Sequence, residues 1–239
     1  MKRQPRPENL RWQRTLRSRE TLADDLGIIG ASVGPRTGPN KRSNGDQEDY
    51  VLRRLLVAWD ICDRLHFPIE IRAAKDSHGQ PDFVLSFLSG ESIGVEVTQA
   101  GDEKYQQWLT WAEPAMQAGN IVHVPFEFDI SLERAAEAVV DRIRRKNEMY
   151  DDGSYRSASV CDLVIYDNTG FHDPAAKNRL IERVRKRNDL AGRFRFVNFI
   201  SNQRVWLDVF GGVQEVDVSE RYEIDLPRWA LTQAEKLRA

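Results

Sequence analysis

Residues 78–100, HGQPDFVLSFLSGESIGVEVTQA, decide the predicted fold because they combine two strand patterns with a short turn. The first strand begins at Pro81-Asp82, and a Ser89-Gly90 turn leads into a second strand that carries Glu96 between apolar neighbours. Successive side chains of a strand point to opposite faces of the sheet. Antiparallel pairing about the turn therefore predicts that Asp82 and Glu96 project from one face toward a common point.

The convergence of two carboxylates predicts a metal site. Two carboxylates held together repel each other, and one of them takes up a proton unless a cation is present. A hard divalent ion such as Mg²⁺ or Mn²⁺ binds oxygen ligands and removes the repulsion. We therefore expect Asp82 and Glu96 to bind such an ion, with the carbonyl oxygen of Val97 as a candidate third ligand. An ion held in this way polarises a phosphodiester and lowers the pKa of a bound water, as phosphate-ester hydrolysis requires.

A purely structural interpretation of the same residues stays open. Pro81-Asp82 is then an ordinary strand start, and Glu96 lies on a solvated face of the sheet. The apolar neighbours in GVEV, residues 94–97, make a solvated Glu96 the weaker interpretation. A carboxylate in such surroundings is costly unless it has a partner.

The elements around this hairpin predict a mixed α/β sheet flanked by helices. Apolar residues recur at helical spacing from Glu48 to Leu65 and again over residues 131–147, where Ser131 is the expected N-cap. Further strand patterns are PIEIRAA (68–74), CDLVIYDN (161–168), FRFVNFI (194–200) and RVWLDVF (204–210). Three consecutive strands followed by a crossover to another buried strand are typical of an α/β fold.

Composition predicts one folded domain, residues 46–239, which follows a basic, Gly- and Pro-rich arm, residues 1–45. Within that arm, we expect a short helix around residues 8–26. The 239 residues are 41% hydrophobic and 30% charged, as is usual for soluble globular proteins. No apolar run reaches the roughly 18 residues of a membrane span, so we expect no membrane partner. Cys62 and Cys161 lie in apolar patterns and are expected to be reduced, which favours a cytoplasmic location.

Charge is distributed unevenly along the chain. Residues 1–43 hold ten Lys or Arg and four Asp or Glu, a sum of +6, so the remainder carries −8 to reach the whole-chain value of −2. An acidic body does not attract nucleic acid as a whole, so such a partner needs local basic patches. Residues 177–195 offer one, in which Arg179, Arg183 and Lys186 form a one-sided stripe suited to phosphate contacts. A solvated helix face is the alternative interpretation.

Pro81-Asp82 and Glu96-Val97-Thr98, set in this order of elements, resemble the PD-(D/E)XK nuclease superfamily with its restriction-endonuclease-like fold. The resemblance covers residues 46–210. It implies that Asp82 and Glu96 bind Mg²⁺ and that the carbonyl of Val97 joins them. The family often adds an acid from the first helix, a role that the resemblance gives to Glu48, with Asp49 as the alternative.

Thr98 departs from the family pattern, because it occupies the position of the lysine that positions or activates the attacking water. A threonine hydroxyl can hydrogen-bond a water but supplies no positive charge. Its position nevertheless makes Thr98 a candidate catalytic residue. Lys75 before the hairpin and Lys104 after it are alternative sources of the missing charge.

The resemblance implies a metal-dependent DNA endonuclease, with defence against foreign DNA, restriction or repair as its expected role. RNA stays open as a substrate. The basic arm and the 177–195 patch would then grip the backbone. The rival prediction is a non-catalytic nucleic-acid-binding or complex-forming subunit that keeps the fold, favoured by the missing lysine and the acidic body. A homodimer or a place in a larger complex is a further implication of the family, although the sequence carries no distinctive interface pattern.

Overall fold

The computed structural model of the 239-residue chain describes residues 10–27, 29, 43–75, 79–101, 131–153, 155, 160–168, 176–201 and 203–219, with parts of 107–122. No helix within these ranges is long and apolar enough to cross a membrane. Of the predicted elements, the helical pattern that contains Lys104 falls largely outside the described residues.

The described strands form one eight-stranded sheet whose spatial order follows the chain. β1 to β4 pair antiparallel, β4 to β6 pair parallel, and β6 to β8 pair antiparallel. The protein is therefore a mixed α/β structure, as predicted. The strands are β1 (Leu10–Leu16), β2 (Ile69–Ala74), β3 (Phe83–Phe87), β4 (Ser92–Gly101), β5 (Val160–Asn168), β6 (Val197–Ser201), β7 (Arg204–Leu207) and β8 (Gln214–Asp217).

Helices cover both faces of the sheet and create two core layers. One layer joins α1 (Leu22–Gly27) and α2 (Asn44–Ile61) to one face. The other joins α3 (Leu132–Asp151) and α4 (Lys177–Arg185), the latter followed by a 3₁₀ turn, to the opposite face. β5 lies between the layers, which explains its near-continuous apolar sequence.

Both long helices begin at a side-chain N-cap, and α2 begins at Asn44, four residues before the predicted Glu48. Ser43 and Asp46 form a capping box at the start of α2, since the Ser43 hydroxyl accepts the Asp46 N–H and the Asp46 carboxylate accepts the Ser43 N–H. The predicted N-cap of α3 is confirmed, because Oγ of Ser131 accepts the N–H of Arg134 at 3.3 Å. α2 ends four residues before the predicted Leu65, and Asp63 then adopts a left-handed φ of 54°.

The N-terminal segment is part of the sheet, so the prediction of an arm outside the folded domain was wrong for the described part of residues 1–45. β1 occupies the edge and pairs with β2, where a helix had been expected. Leu16, Leu22 and Leu26 are fully buried in the core layer that contains α2. Apolar residues at these few positions anchor a segment whose basic composition alone suggests a solvated tail. The short final strand β8 was also not predicted.

Candidate active site

The β3–β4 hairpin places Asp82 beside Glu96. Phe83 pairs with Val95 in the antiparallel ladder, so the next position outward sets Asp82 opposite Glu96. β3 begins at Phe83, whereas β4 continues to Gly101. Just beyond the start of β3, the backbone N–H of Val97 donates to Oδ2 of Asp82 at 2.8 Å. The carboxylates thus lie together, as the strand alternation predicts.

Both carboxylates are buried, and both have raised pKa values. Asp82 is 6% exposed and Glu96 is 2% exposed. Loss of hydration is the largest cause of the raised pKa of Asp82, followed by the negative charges of Glu96 and Glu48. Burial also raises the pKa of Glu96, and the positive charge of Lys146 opposes that effect. The interpretation of Glu96 as part of a solvated sheet face was therefore wrong.

A lysine from α3 reaches this buried pair. Nζ of Lys146 donates to Oε1 of Glu96, and the lysine side chain is only 14% exposed. The charge of Lys146 also lowers the pKa of Asp82 against the larger effect of burial. The site therefore holds two carboxylates and one ammonium group. These are the residue types that the nuclease resemblance requires, with the lysine contributed by a helix instead of position 98.

Sequence reasoning missed Lys146, although the sequence held a signal for it. The buried stripe of α3 runs through Val139, Val140 and Ile143, and position 146 continues the stripe one step further. A lysine on the buried side of an amphipathic helix needs a partner for its charge. The two donors that had been considered are less suitable, since Lys75 is exposed at the end of β2 and Lys104 lies outside the described residues.

One oxygen of Glu96 has no donor, which distinguishes this carboxylate from its buried neighbours in the sheet. Oε2 of Glu96 is buried and has no hydrogen-bond partner within the described ranges. Asp162, by contrast, accepts two N–H groups of Arg195 at 2.8 and 2.7 Å. Asp167 accepts from both Lys177 and Ser201. The Glu96 site thus retains an unsatisfied acceptor that the two other carboxylates do not have.

The donor set fits a hard divalent cation better than a closed ion pair. Glu96 offers a buried oxygen without a donor, and the Asp82 carboxylate lies beside it. Within the described residues, the hydroxyl of Tyr155 is also buried without a hydrogen bond of strict geometry, yet it lies close enough to the Glu96 carboxylate to lower the pKa of that acid. Two adjacent carboxylates with raised pKa values, only one of them ion-paired, are suited to a bound Mg²⁺ or Mn²⁺. Asp82 and Glu96 are the residues that would hold such an ion.

The acids of the first helix lie near the site but are held by the N-terminal strand. Arg11 of β1 donates to Glu48 at 2.8 Å and also to Asp49. Trp12 donates to the Asp49 carboxylate at 3.1 Å. Glu48 contributes its charge to the raised pKa of Asp82. Asp49, the alternative choice for the helix acid, is more deeply buried than Glu48, the preferred one.

A third side-chain ligand is not assembled in the structure. Within the ranges described, no group of three or more His, Cys, Asp or Glu side chains converges on one point. Glu48 therefore acts on Asp82 through its charge, and its role as a ligand stays a prediction. The same holds for the Val97 carbonyl, since the contact that the structure shows for Val97 is the donation of its N–H to Asp82.

Thr98 lies on the strand face of Glu96, two positions further along β4. It is 9% exposed and lies next to Ile165 of β5 in the parallel ladder. The residue therefore occupies the place that the resemblance predicts for a lysine. The lysine that contacts Glu96 is Lys146 of α3.

The basic stripe of α4 lies away from the carboxylates. Arg183 forms an ion pair with Glu133 of α3 at 2.6 Å, whereas Arg179 and Lys186 are exposed. The indole N–H of Trp206 in β7 donates to Asn178 of α4 at 2.7 Å, which places this helix toward the β6–β7 side of the sheet. The structure thus does not bring the predicted nucleic-acid contacts together with Asp82 and Glu96.

Comparison of the chain with profiles of known protein families, with curated proteins and with solved structures finds no match. The resemblance to the PD-(D/E)XK superfamily therefore rests on the residues and their geometry alone.

The raised pKa of Asp82 predicts an unusual dependence of stability on pH. A carboxyl group with a raised folded pKa binds more protons in the folded state than in the unfolded state. Its contribution to stability is therefore present at low pH and is lost as the pH rises from the ordinary aspartate value through the folded one. D82N keeps an oxygen for the Val97 N–H and removes the charge. Between about pH 4.5 and pH 7.5, we expect the free energy of unfolding of D82N to rise by about 1 kcal/mol or more relative to that of wild type.

Denaturant unfolding without divalent ions measures this gain. E91Q removes an exposed carboxylate from the same hairpin and is the matched control, for which we expect no comparable change with pH. The free energy of unfolding of D82N is compared with that of wild type at both pH values. A difference of the same size at each pH would contradict the burial of a charged pair.

Proposed function

We propose that this chain is a metal-dependent nuclease of the PD-(D/E)XK type that hydrolyses phosphodiester bonds in DNA. The observation that carries the proposal is the contact of Lys146 with Glu96, which is buried beside Asp82 in the sheet. It supplies the lysine whose absence at position 98 was the main departure from the family pattern. A role in defence against foreign DNA, restriction or repair belongs to this proposal as an implication of the resemblance.

The order of elements supports a restriction-endonuclease-like core. α2 precedes an antiparallel β2–β3–β4 meander, and α3 then leads to β5, which pairs parallel with β4. This order is the one that the resemblance implies. The carboxylates lie where the β3–β4 ladder ends, and β4 continues beyond them paired with β5.

Asp82 and Glu96 hold the ion in this proposal. When bound, the ion supplies Lewis-acid polarisation of the phosphate and lowers the pKa of a coordinated water. Burial of the two carboxylates excludes bulk water and strengthens their electrostatic effects. The hydrogen bond from the Val97 N–H fixes the orientation of the Asp82 carboxylate, so the pair is preorganised.

Lys146 provides the positive charge that Thr98 cannot. Its ammonium group has three donors, of which one is directed to Glu96. The others can orient an attacking water and stabilise negative charge that develops on the phosphate. Thr98, on the same strand face, contributes a hydroxyl that can hydrogen-bond the same water.

A non-catalytic nucleic-acid-binding subunit is the second candidate, and the ion pairs favour it. Lys146 pairs with Glu96, and Arg11 pairs with both Glu48 and Asp49. In this alternative, the Lys146–Glu96 pair serves only to fix α3 on the sheet. The Asp82 carboxylate favours the enzyme, because it is buried beside Glu96 and forms no ion pair within the described residues.

Cleavage of supercoiled plasmid with Mg²⁺ or Mn²⁺ tests the proposed function. We expect wild type to nick or linearise the plasmid only with the divalent ion present. D82N and E96Q should each lose about 100-fold or more of this activity, because each removes a charge that holds the ion. E91Q serves again as the control and should cut at the wild-type rate. Metal-independent cutting, or unchanged cutting by D82N and E96Q, would refute a metal site at this pair.

Relocation of the lysine tests the role of Lys146. We expect K146A to lose about 10²–10⁴-fold in cleavage rate, the range typical of a residue that assists proton transfer. The double variant K146A/T98K places the lysine at the position that the resemblance assigns to it, and should recover part of the activity. The single variant T98K controls for the effect of a lysine in β4 on folding. An active K146A enzyme would show that Lys146 has only a structural role.

A further inference from the structure

The two flanks of α3 face different parts of the molecule. Glu133 and Glu137 lie on the flank that contacts the α4 region, where they approach Arg183 at 2.6 Å and Arg187 at 4.0 Å. Asn147, further along the same flank, donates to the backbone carbonyl of Leu190 at 3.1 Å. This side of the helix is therefore occupied by α4 and the turn that follows it.

The other flank of α3 faces the side of the sheet that carries the candidate active site. α4 lies toward β6 and β7, so the opposite flank of α3 lies toward β3 and β4. With 3.6 residues in each turn, Arg142 lies about half a turn around the helix from Glu133. Lys146 follows Arg142 by four residues, a spacing that places their Cβ atoms about 5–6 Å apart. Arg142 thus lies one helical turn before the lysine that contacts Glu96.

The arginines on this flank have no acidic partner within the described part of the chain. Arg142 is half-buried and Arg145 is exposed, and neither forms an ion pair there. Two other arginines of these helices do form ion pairs, Arg144 with Asp141 at 2.6 Å and Arg183 with Glu133. The half-buried guanidinium group of Arg142 thus lies one helical turn from Lys146 and has no anionic partner there. A bound molecule can supply the missing negative charge.

We propose that Arg142 and Arg145 of α3 bind the phosphodiester backbone of the nucleic acid substrate beside the scissile phosphate. The inference deepens the proposed function and rests on it. Arginine presents a planar fork of donors that matches phosphate oxygens, and backbone contacts of this kind position a substrate without reading its sequence. α3 then contributes both the catalytic lysine and the adjacent phosphate contacts, and the stripe on α4 is a solvated face.

Fluorescence anisotropy in EDTA tests this inference, because binding is then measured without cleavage. The probes are a duplex DNA, a single-stranded DNA and an RNA duplex of about 20 nucleotides per strand. We expect R142A/R145A to bind the preferred probe about tenfold or more weakly than wild type near 100 mM salt. The slope of log affinity against log salt should fall by about 2, since each lost phosphate contact contributes about 0.9.

The matched control is R179A/K186A, which removes two exposed cations from α4. We expect it to change affinity less than about twofold, and thermal unfolding should show that both double variants remain folded. Equal losses in the two variants, wild-type binding by R142A/R145A, or no binding of any probe by wild type would overturn the inference. Binding that depends on Arg142 and Arg145 in a protein that never cuts would uphold this surface and refute the nuclease proposal. Metal-dependent cutting with unchanged binding by R142A/R145A would uphold the nuclease proposal and refute this phosphate-binding surface.

Discussion

Burial of Asp82 beside Glu96 is the constraint on which the rest of the site depends. Removing an ion from water costs several kcal/mol even in a relaxed protein interior, and two adjacent negative charges add their repulsion. The structure compensates this cost only in part. The Val97 N–H and the Lys146 ammonium group each satisfy one oxygen, while Oε2 of Glu96 keeps no donor. The divalent cation that we propose would offset the remaining negative charge.

The surrounding fold serves this arrangement. β3 begins at Phe83 while β4 continues to Gly101, so the carboxylates lie where the β3–β4 ladder ends. α3 extends beyond its apolar stripe, and the added turn carries Lys146 to the carboxylates. The edge strand β1 brings Arg11 to the acids of α2, of which Glu48 still contributes its charge to the raised pKa of Asp82.

Local pattern was sufficient to predict part of this site. Strand alternation and a two-residue turn fix which side chains share a face, so the proximity of Asp82 and Glu96 followed from spacing alone. The partner Lys146 lies fifty positions further on. Its approach depends on how the α3 crossover packs against β4, which periodicity does not specify. The edge strand β1 was mistaken for a helix in a basic arm, because composition outweighed a few apolar anchors such as Leu16.

Anomalous diffraction from a crystal soaked in Mn²⁺ tests the central claim most directly, since it locates the ion without reference to activity. The account predicts a strong peak bonded to a carboxylate oxygen of Asp82 and to Oε2 of Glu96, with Lys146 still adjacent. A peak elsewhere, or no peak with the Lys146–Glu96 pair intact, would contradict it and identify the buried charges as a structural ion pair.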